Sequence, residues 1–177
     1  MSSKHSFIIG ITRLRKEPGL SMSFGLSGAI ADLKVASSRV RDDQIIEVSG
    51  VAESVHGGLL ITGEIAARWE GACRRCLNPT SGTMHIPVCE LYERIGPDSR
   101  VPVESDTYRY SGDVLDLREM VKDQILLELP LAPLCKENCL GLCVSCGAEL
   151  NLGRCGCEYA AIDPRWAGLD VLADKDR

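Results

Sequence analysis

The chain has 177 residues, 45% of them hydrophobic and 25% charged, with a formal net charge of −5; this is the length and balance of one compact globular domain and excludes a disordered chain or a coiled coil. No apolar run approaches the roughly 18 to 20 residues that cross a bilayer, and the short stretch Phe7 to Ile11 has no small-residue cleavage site behind it, so no membrane and a reducing cytoplasm are the expected setting. Aromatic residues are only 5% of the chain, too few for a sheet lined with base-stacking rings.

The first 41 residues carry Lys4, Arg13, Arg15, Lys16, Lys34, Arg39 and Arg41 against Glu17 and Asp32, a local basic excess on an otherwise acidic chain. A solvated basic face and a local phosphate-binding surface both fit that excess. From Gln44 to Val55 the β-branched residues Ile45, Ile46, Val48, Val51 and Val55 predict a strand, and His56-Gly57-Gly58 supplies hairpin-turn chemistry. Leu59, Ile61, Ile65, Ala67 and Trp69 then alternate with Thr62, Glu64, Arg68 and Glu70, the period of two that marks a half-buried antiparallel strand. Asn78 to Gly82 reads as a second turn cluster and Thr83 to Ile95 as a returning strand, which places Cys73-Arg74-Arg75-Cys76 where one strand gives way to the next.

After an acidic, turn-rich stretch around residues 97–106 the period becomes helical. Asp116 with Glu119 three residues later forms a capping-box pattern, Leu117, Met120, Val121 and Ile125 make one apolar stripe, and Leu129-Pro130 ends the helix because the residue before proline leaves the helical region. These elements predict an α+β fold: a mainly antiparallel, partly barrel-like sheet covered by one long helix over about residues 116–128. Residues 1–134 are expected to form this core with its basic N-terminal region. Residues 135–177 are expected to form a cysteine-rich, zinc-ribbon-like segment packed on it as one structural unit.

Eight of the nine cysteines fall into tight groups: Cys73 and Cys76, Cys135 and Cys139, Cys143 and Cys146, and Cys155 and Cys157, with Cys89 alone. In a reducing compartment such spacing predicts metal ligands rather than disulfides. Zinc takes four thiolates in a tetrahedron, and C-x-x-C offers two of them from one tight turn, so eight ligands make two four-cysteine zinc sites. Gly147, directly after Cys146, suits such a knuckle because glycine accepts positive φ. Loop closure favours Cys143, Cys146, Cys155 and Cys157 on one ion, leaving Cys73, Cys76, Cys135 and Cys139 to tie the hairpin tip to the segment after the helix. The partition with Cys135, Cys139, Cys143 and Cys146 together stays open. Iron–sulfur ligation is second to zinc, since the ferredoxin C-x2-C-x2-C run is missing.

Arg74, Arg75, Lys136 and Arg154 interleave with these ligands. They either offset the formal −2 of a zinc tetrathiolate or grip phosphates from an exposed knuckle. His5, His56 and His85 are scattered, and no Ser/His/Asp spacing, P-loop or dinucleotide fingerprint is present. Neither an enzyme nor a small-molecule substrate is therefore expected.

The string from Pro133 to Asn151 (PLCKENCLGLCVSCGAELN), then Cys155-Gly-Cys157 and Asp163-Pro-Arg-Trp-Ala-Gly-Leu169, resembles the YceD family of large ribosomal RNA subunit accumulation proteins. Cys73-Arg-Arg-Cys76 after a strand, and the helix leading into Leu129-Pro-Leu131, match that family too. The resemblance implies a non-enzymatic, cytoplasmic factor that promotes accumulation of large-subunit (23S) ribosomal RNA. Its expected partner is that RNA or its precursor, with Arg13, Arg15, Lys16, Arg74 and Arg75 as candidate RNA contacts. The alternative is a zinc-stabilised protein-interaction module that binds a large-subunit ribosomal protein or processing factor without touching RNA.

Overall fold

A computed structural model describes residues 7–95 and 107–157. Three elements, β1 (Ile8–Gly10), β2 (Ser21–Gly28) and β3 (Ser38–Arg39), precede the three long strands that organise the fold. The β-branched segment becomes β4 (Ile46–Val55), and His56-Gly57 turns the chain into β5 (Gly58–Ala72) with Val55 opposite Gly58, the tight hairpin predicted from those residues. β6 (Pro79–Arg94) pairs with β5 along its whole length, from Gly58 opposite Glu93 to Ala72 opposite Pro79. β7 (Tyr108–Tyr110), β8 (Val114–Asp116) and α1 (Arg118–Glu128) follow.

The large sheet runs in the order β2-β4-β5-β6-β7, with β3 pairing the far end of β5. All of its pairings are antiparallel except β6 with β7, where Tyr92 and Tyr108 stack with ring centroids 5.2 Å apart. Alternation puts Ile61, Ile65, Val48 and Ile86 on one buried face, and the same core takes in Met120, Val121 and Ile125 from α1. β1 and β8 form a separate two-stranded sheet whose buried Ile9 and Leu115 join that core. Burial of such side chains at roughly 1.5 to 3 kcal/mol each is the main favourable term.

Three expectations need correction. The sheet is open rather than partly barrel-like: its path ends on β2 and β7, which do not pair. The Asn78 to Gly82 segment is not a turn. The chain reverses at the cysteines, and Pro79 to Gly82 already belong to β6. Gly82 serves close approach, since a Cβ there would lie 2.9–3.0 Å from the indole of Trp69 across the ladder. The helix begins at Arg118, not Asp116, because Asp116 ends β8 and the N-cap position falls to Leu117, whose apolar side chain makes no capping bond. The Asp116 carboxylate still accepts the backbone N–H of Arg118 at 2.9 Å. The C-terminal end is as expected, with Leu129 at ψ 126° ahead of Pro130.

Candidate metal centres

The long β5–β6 hairpin carries the first cysteine pair at its tip. Between Ala72 and Pro79 the Cys73 N–H donates to Asn78 O at 2.8 Å and the Leu77 N–H to Cys73 O at 2.9 Å, a tight knuckle that aims both sulfurs inward. After α1, Pro130 redirects the chain back towards this tip. There the Arg74 N–H donates to Pro133 O at 2.9 Å, and the Arg75 guanidinium donates to Cys139 O at 2.9 Å and Glu137 O at 3.2 Å. The result brings the Sγ atoms of Cys73, Cys76, Cys135 and Cys139 within 4.8 Å of one another.

A second knuckle repeats this wiring bond for bond. The Cys143 N–H donates to Ala148 O at 2.8 Å and the Gly147 N–H to Cys143 O at 2.9 Å. Cys143, Cys146, Cys155 and Cys157 gather within the same limit, so the partition favoured by loop closure is the one the fold adopts, and the alternative grouping is not. Gly147 has φ +72° as its position requires, while its counterpart in the first knuckle is Leu77 at φ +63°. Asn151 joins the two units: its Nδ2 donates to Cys139 Sγ at 3.2 Å and its Oδ1 accepts the Leu140 N–H at 3.0 Å. Asn78 donates to the Glu149 carboxylate at 2.8 Å in the same seam.

The sulfur geometry of the first site fits one ion. Cys73 and Cys139 lie 3.8 Å apart and Cys76 and Cys135 3.6 Å apart. A regular tetrahedron with metal–sulfur bonds of about 2.3 Å has edges of about 3.8 Å. A multi-iron cluster spreads its thiolates over separate irons and holds them further apart. Backbone N–H groups, that of Cys76 foremost, hold the Cys73 thiol down at about 6; those of Cys146 and Ser145 do the same for Cys143, also to about 6. The Asn151 amide lowers Cys139. Contact with the sulfurs of Cys146 and Cys155 pushes Cys157 up to about 12, so metal binding there displaces a proton.

In the first site Cys73, Cys76 and Cys139 are buried and Cys135 is exposed, whereas in the second only Cys143 is buried and Cys146 and Cys157 are exposed. Cys89 lies alone on the exposed face of β6. His85 is exposed there too, with Nδ1 3.0 Å from Glu64, and His56 sits in the hairpin turn.

The candidate RNA contacts do not form one patch. Arg13 and Lys16 are exposed near the β4–β5 turn, where Gly19 and Leu20 bond to Ser54. Arg74 and Arg75 stand at the far end of β5, and the strand from Leu59 to Ala72 separates the groups by about 40 Å at 3.3 Å per residue. Arg15 is bound to Gly112 O and ion-paired with Asp113, and Arg75 is committed to the carbonyls of the ligand loop. Arg75 is exposed but already engaged, so Arg13, Lys16 and Arg74 are the exposed cations of the set with no side-chain hydrogen bond or ion pair among the described residues. Sequence reasoning missed Asn78, Glu149 and Asn151. The only available signal was the position of Asn151 at the end of the Pro133 string.

The fold and its sites define a class: an open, mainly antiparallel sheet whose longest hairpin is tethered, through clustered cysteines, to a small two-knuckle segment. The family model for "Large ribosomal RNA subunit accumulation protein YceD" matches residues 61–173, a span that takes in all eight clustered cysteines. The chain belongs to the YceD family. It is similar to uncharacterized proteins of Mycobacterium tuberculosis and Mycobacterium bovis, 34% identical over 167 residues that cover 91% of this chain and 78% of each relative. It is also similar to the large ribosomal RNA subunit accumulation protein YCED homolog 1, chloroplastic, of Arabidopsis thaliana, 35% identical over 61 residues, covering 34% of this chain and 19% of that protein. No solved structure matches. Among the described residues no helix is long and apolar enough to cross a membrane. The Asp163 to Leu169 string, Lys4 and His5 lie outside the described residues.

Proposed function

We propose that this protein is a non-enzymatic, cytoplasmic factor that promotes accumulation of large-subunit ribosomal RNA, held in shape by two structural zinc ions. One observation carries the reading: the family match takes in the hairpin from Ile61 onward and both cysteine groups, so the part that resembles accumulation proteins is the part the metals would organise. Cys73, Cys76, Cys135 and Cys139 hold one ion; Cys143, Cys146, Cys155 and Cys157 hold the other. Four thiolates per ion leave no open coordination position, which suits a structural rather than a catalytic role. Residues 1–134 form the core domain that supplies the sheet and helix, and the segment from 135 packs on the hairpin tip through Asn78 with Glu149 and Arg75 with the carbonyls of Glu137 and Cys139.

The deciding experiment is depletion of the protein followed by quantification of large- against small-subunit ribosomal RNA, with rescue by the wild type and by Cys73→Ser. Loss of large-subunit RNA that only the wild type rescues supports the reading; unchanged levels refute it. Direct RNA contact through Arg13, Lys16 and Arg74 predicts binding to the RNA or its precursor that weakens steeply with salt through counterion release. A second reading, contact with a ribosomal protein or processing factor and not with RNA, is favoured by the separation of those cations and by the acidic face of the sheet. Elemental analysis settles the metal: two zinc per chain is expected, and iron, or no metal, overturns that part.

A further inference from the structure

We propose that the free edge of β2 is a docking site for an extended protein segment that carries apolar residues on one face and lysines or arginines on the other. β2 is the terminal strand of the large sheet, eight residues long with the sequence Ser-Met-Ser-Phe-Gly-Leu-Ser-Gly. Its ladder to β4 uses one side of the strand. Among the described residues no loop or side chain bonds to its backbone on the other side. Exposed edges of this length are normally blunted by charge, proline or bulges. The unpaired part of β6 follows that rule, with Pro79, Pro87 and His85 along it, whereas β2 has neither a charge nor a proline.

The two faces of the edge specify the occupant. On the core side Met22, Phe24 and Leu26 are only partly buried against the core, so an added strand with apolar residues on that side would complete their cover. On the outer side the row is Ser21, Ser23, Gly25 and Ser27, all small. Behind it stand Glu53, opposite Ser21, and Glu47, opposite Ser27. Glu64 lies one strand further, opposite Ser49.

Both Glu47 and Glu53 are exposed, and neither is in an ion pair among the described residues. Among the described residues no lysine or arginine lies on the outer face between these rows, Arg68 standing one row beyond Glu47. An added strand would run about 4.8 Å from β2 and twice that from β4. A lysine or arginine side chain spans that gap across serine and glycine. Main-chain bonds supply affinity in such strand addition and alternate side chains supply selectivity. A second copy of this chain would instead bring acidic rows towards acidic rows. The docking site goes beyond the role in RNA accumulation and does not depend on it.

The test uses the full, metal-loaded chain and the capped octapeptide Lys-Val-Lys-Val-Lys-Val-Lys-Val, with the Glu-Val octapeptide as control, read by titration calorimetry and by backbone amide shifts. Binding of the lysine peptide alone is expected, with shifts centred on Ser21–Gly28. The pair Glu47→Lys and Glu53→Lys should weaken it by about tenfold and admit the glutamate peptide. The pair Glu119→Lys and Glu128→Lys on α1, of equal charge change, should leave binding within about twofold. Ser23→Lys, which adds a charge to the edge itself, should weaken it as well. Equal loss in both double variants, shifts away from β2, or β2 amides already covered by a dimer at the working concentration would each overturn the proposal.

Discussion

Leu77 and Gly147 occupy the same place in two superimposable knuckles. Each follows the second cysteine of a C-x-x-C, and each donates its N–H to the carbonyl of the first cysteine at 2.9 Å. Each also takes positive φ, +63° for Leu77 and +72° for Gly147. A side chain in that region costs about 1 to 2 kcal/mol, and Leu77, at 65% exposure, recovers little of it through burial. Leu77→Gly should therefore stabilise the domain by about 0.5 to 1 kcal/mol after the extra chain entropy of glycine is subtracted. Gly147→Leu should destabilise the second site by a similar amount. Urea unfolding of the metal-loaded protein checks both signs.

Metal should leave the two sites in order. The first is closed by buried Cys73, Cys76 and Cys139 and ties the β5–β6 hairpin to the chain beyond α1; the second has exposed Cys146 and is built within a short segment. On stepwise addition of a chelator, one equivalent of zinc should be released with the sheet intact. The second equivalent should come only with loss of tertiary structure, since metal binding at such sites is folding free energy. Simultaneous release of both, followed by dye-detected zinc and near-UV circular dichroism, would contradict the assignment of distinct roles.

Acid should have a defined effect. Cys73 and Cys143 are held at about 6 in the folded chain, below the ordinary thiol value of about 8.5. A group whose folded pKa is depressed contributes stability fully present above its unfolded pKa and lost as pH falls through the folded one. Metal-free protein should therefore lose stability progressively from about pH 8.5 to pH 6. Bound metal competes with the protons and moves release to or below pH 6. Zinc release with a midpoint above pH 7 would count against the knuckle N–H groups as the cause.

What could be read in the chain was local. The β4–β5 hairpin follows from a period of two and a turn dipeptide, and the cysteine partition follows from short loops closing first. The hidden parts are long-range. β1, β3, β7 and β8 are two or three residues long, and Ile9 is extended only because it meets Leu115, which lies far along the chain from it. Five of the eight residues of β2 are serine or glycine, which carry little strand preference, and the strand is held by its ladder to β4. Gly82 resembled a turn residue because nothing local announces an indole on the opposite strand. The open sheet likewise depends on where α1 packs, which pattern alone does not fix.

Arg74 and Arg75 are neighbours with opposite tasks. Arg75 donates to two carbonyls of the loop that carries Cys139, whereas the Arg74 side chain is exposed and makes no hydrogen bond or ion pair among the described residues. Arg75→Ala should cost about 1 to 2 kcal/mol and loosen the first site, since those carbonyls lose their donors. Arg74→Ala should stay within about 0.5 kcal/mol. If Arg74 meets RNA phosphate, its replacement lowers the salt slope of RNA binding while leaving thermal unfolding unchanged.

Asn151 provides the sharpest test of how the two units communicate. It follows the second knuckle, yet its side chain works on the first site: Nδ2 donates to Cys139 Sγ at 3.2 Å and Oδ1 accepts the Leu140 N–H at 3.0 Å. A donor on a thiolate steadies the charged form that a metal needs, and partners of this kind affect metal affinity by about 10- to 100-fold. Asn151→Asp keeps an acceptor for Leu140 but replaces the donor with a negative charge beside the sulfur. It should weaken zinc at the first site by at least about tenfold, while the second, whose four sulfurs it does not touch, keeps its affinity. Asn151→Ala, which removes donor and acceptor together without adding charge, should fall between that variant and the wild type. Competition titrations that resolve the two equivalents read these differences directly, and an unchanged first-site affinity in Asn151→Asp would show that the amide–sulfur contact contributes nothing to holding the metal.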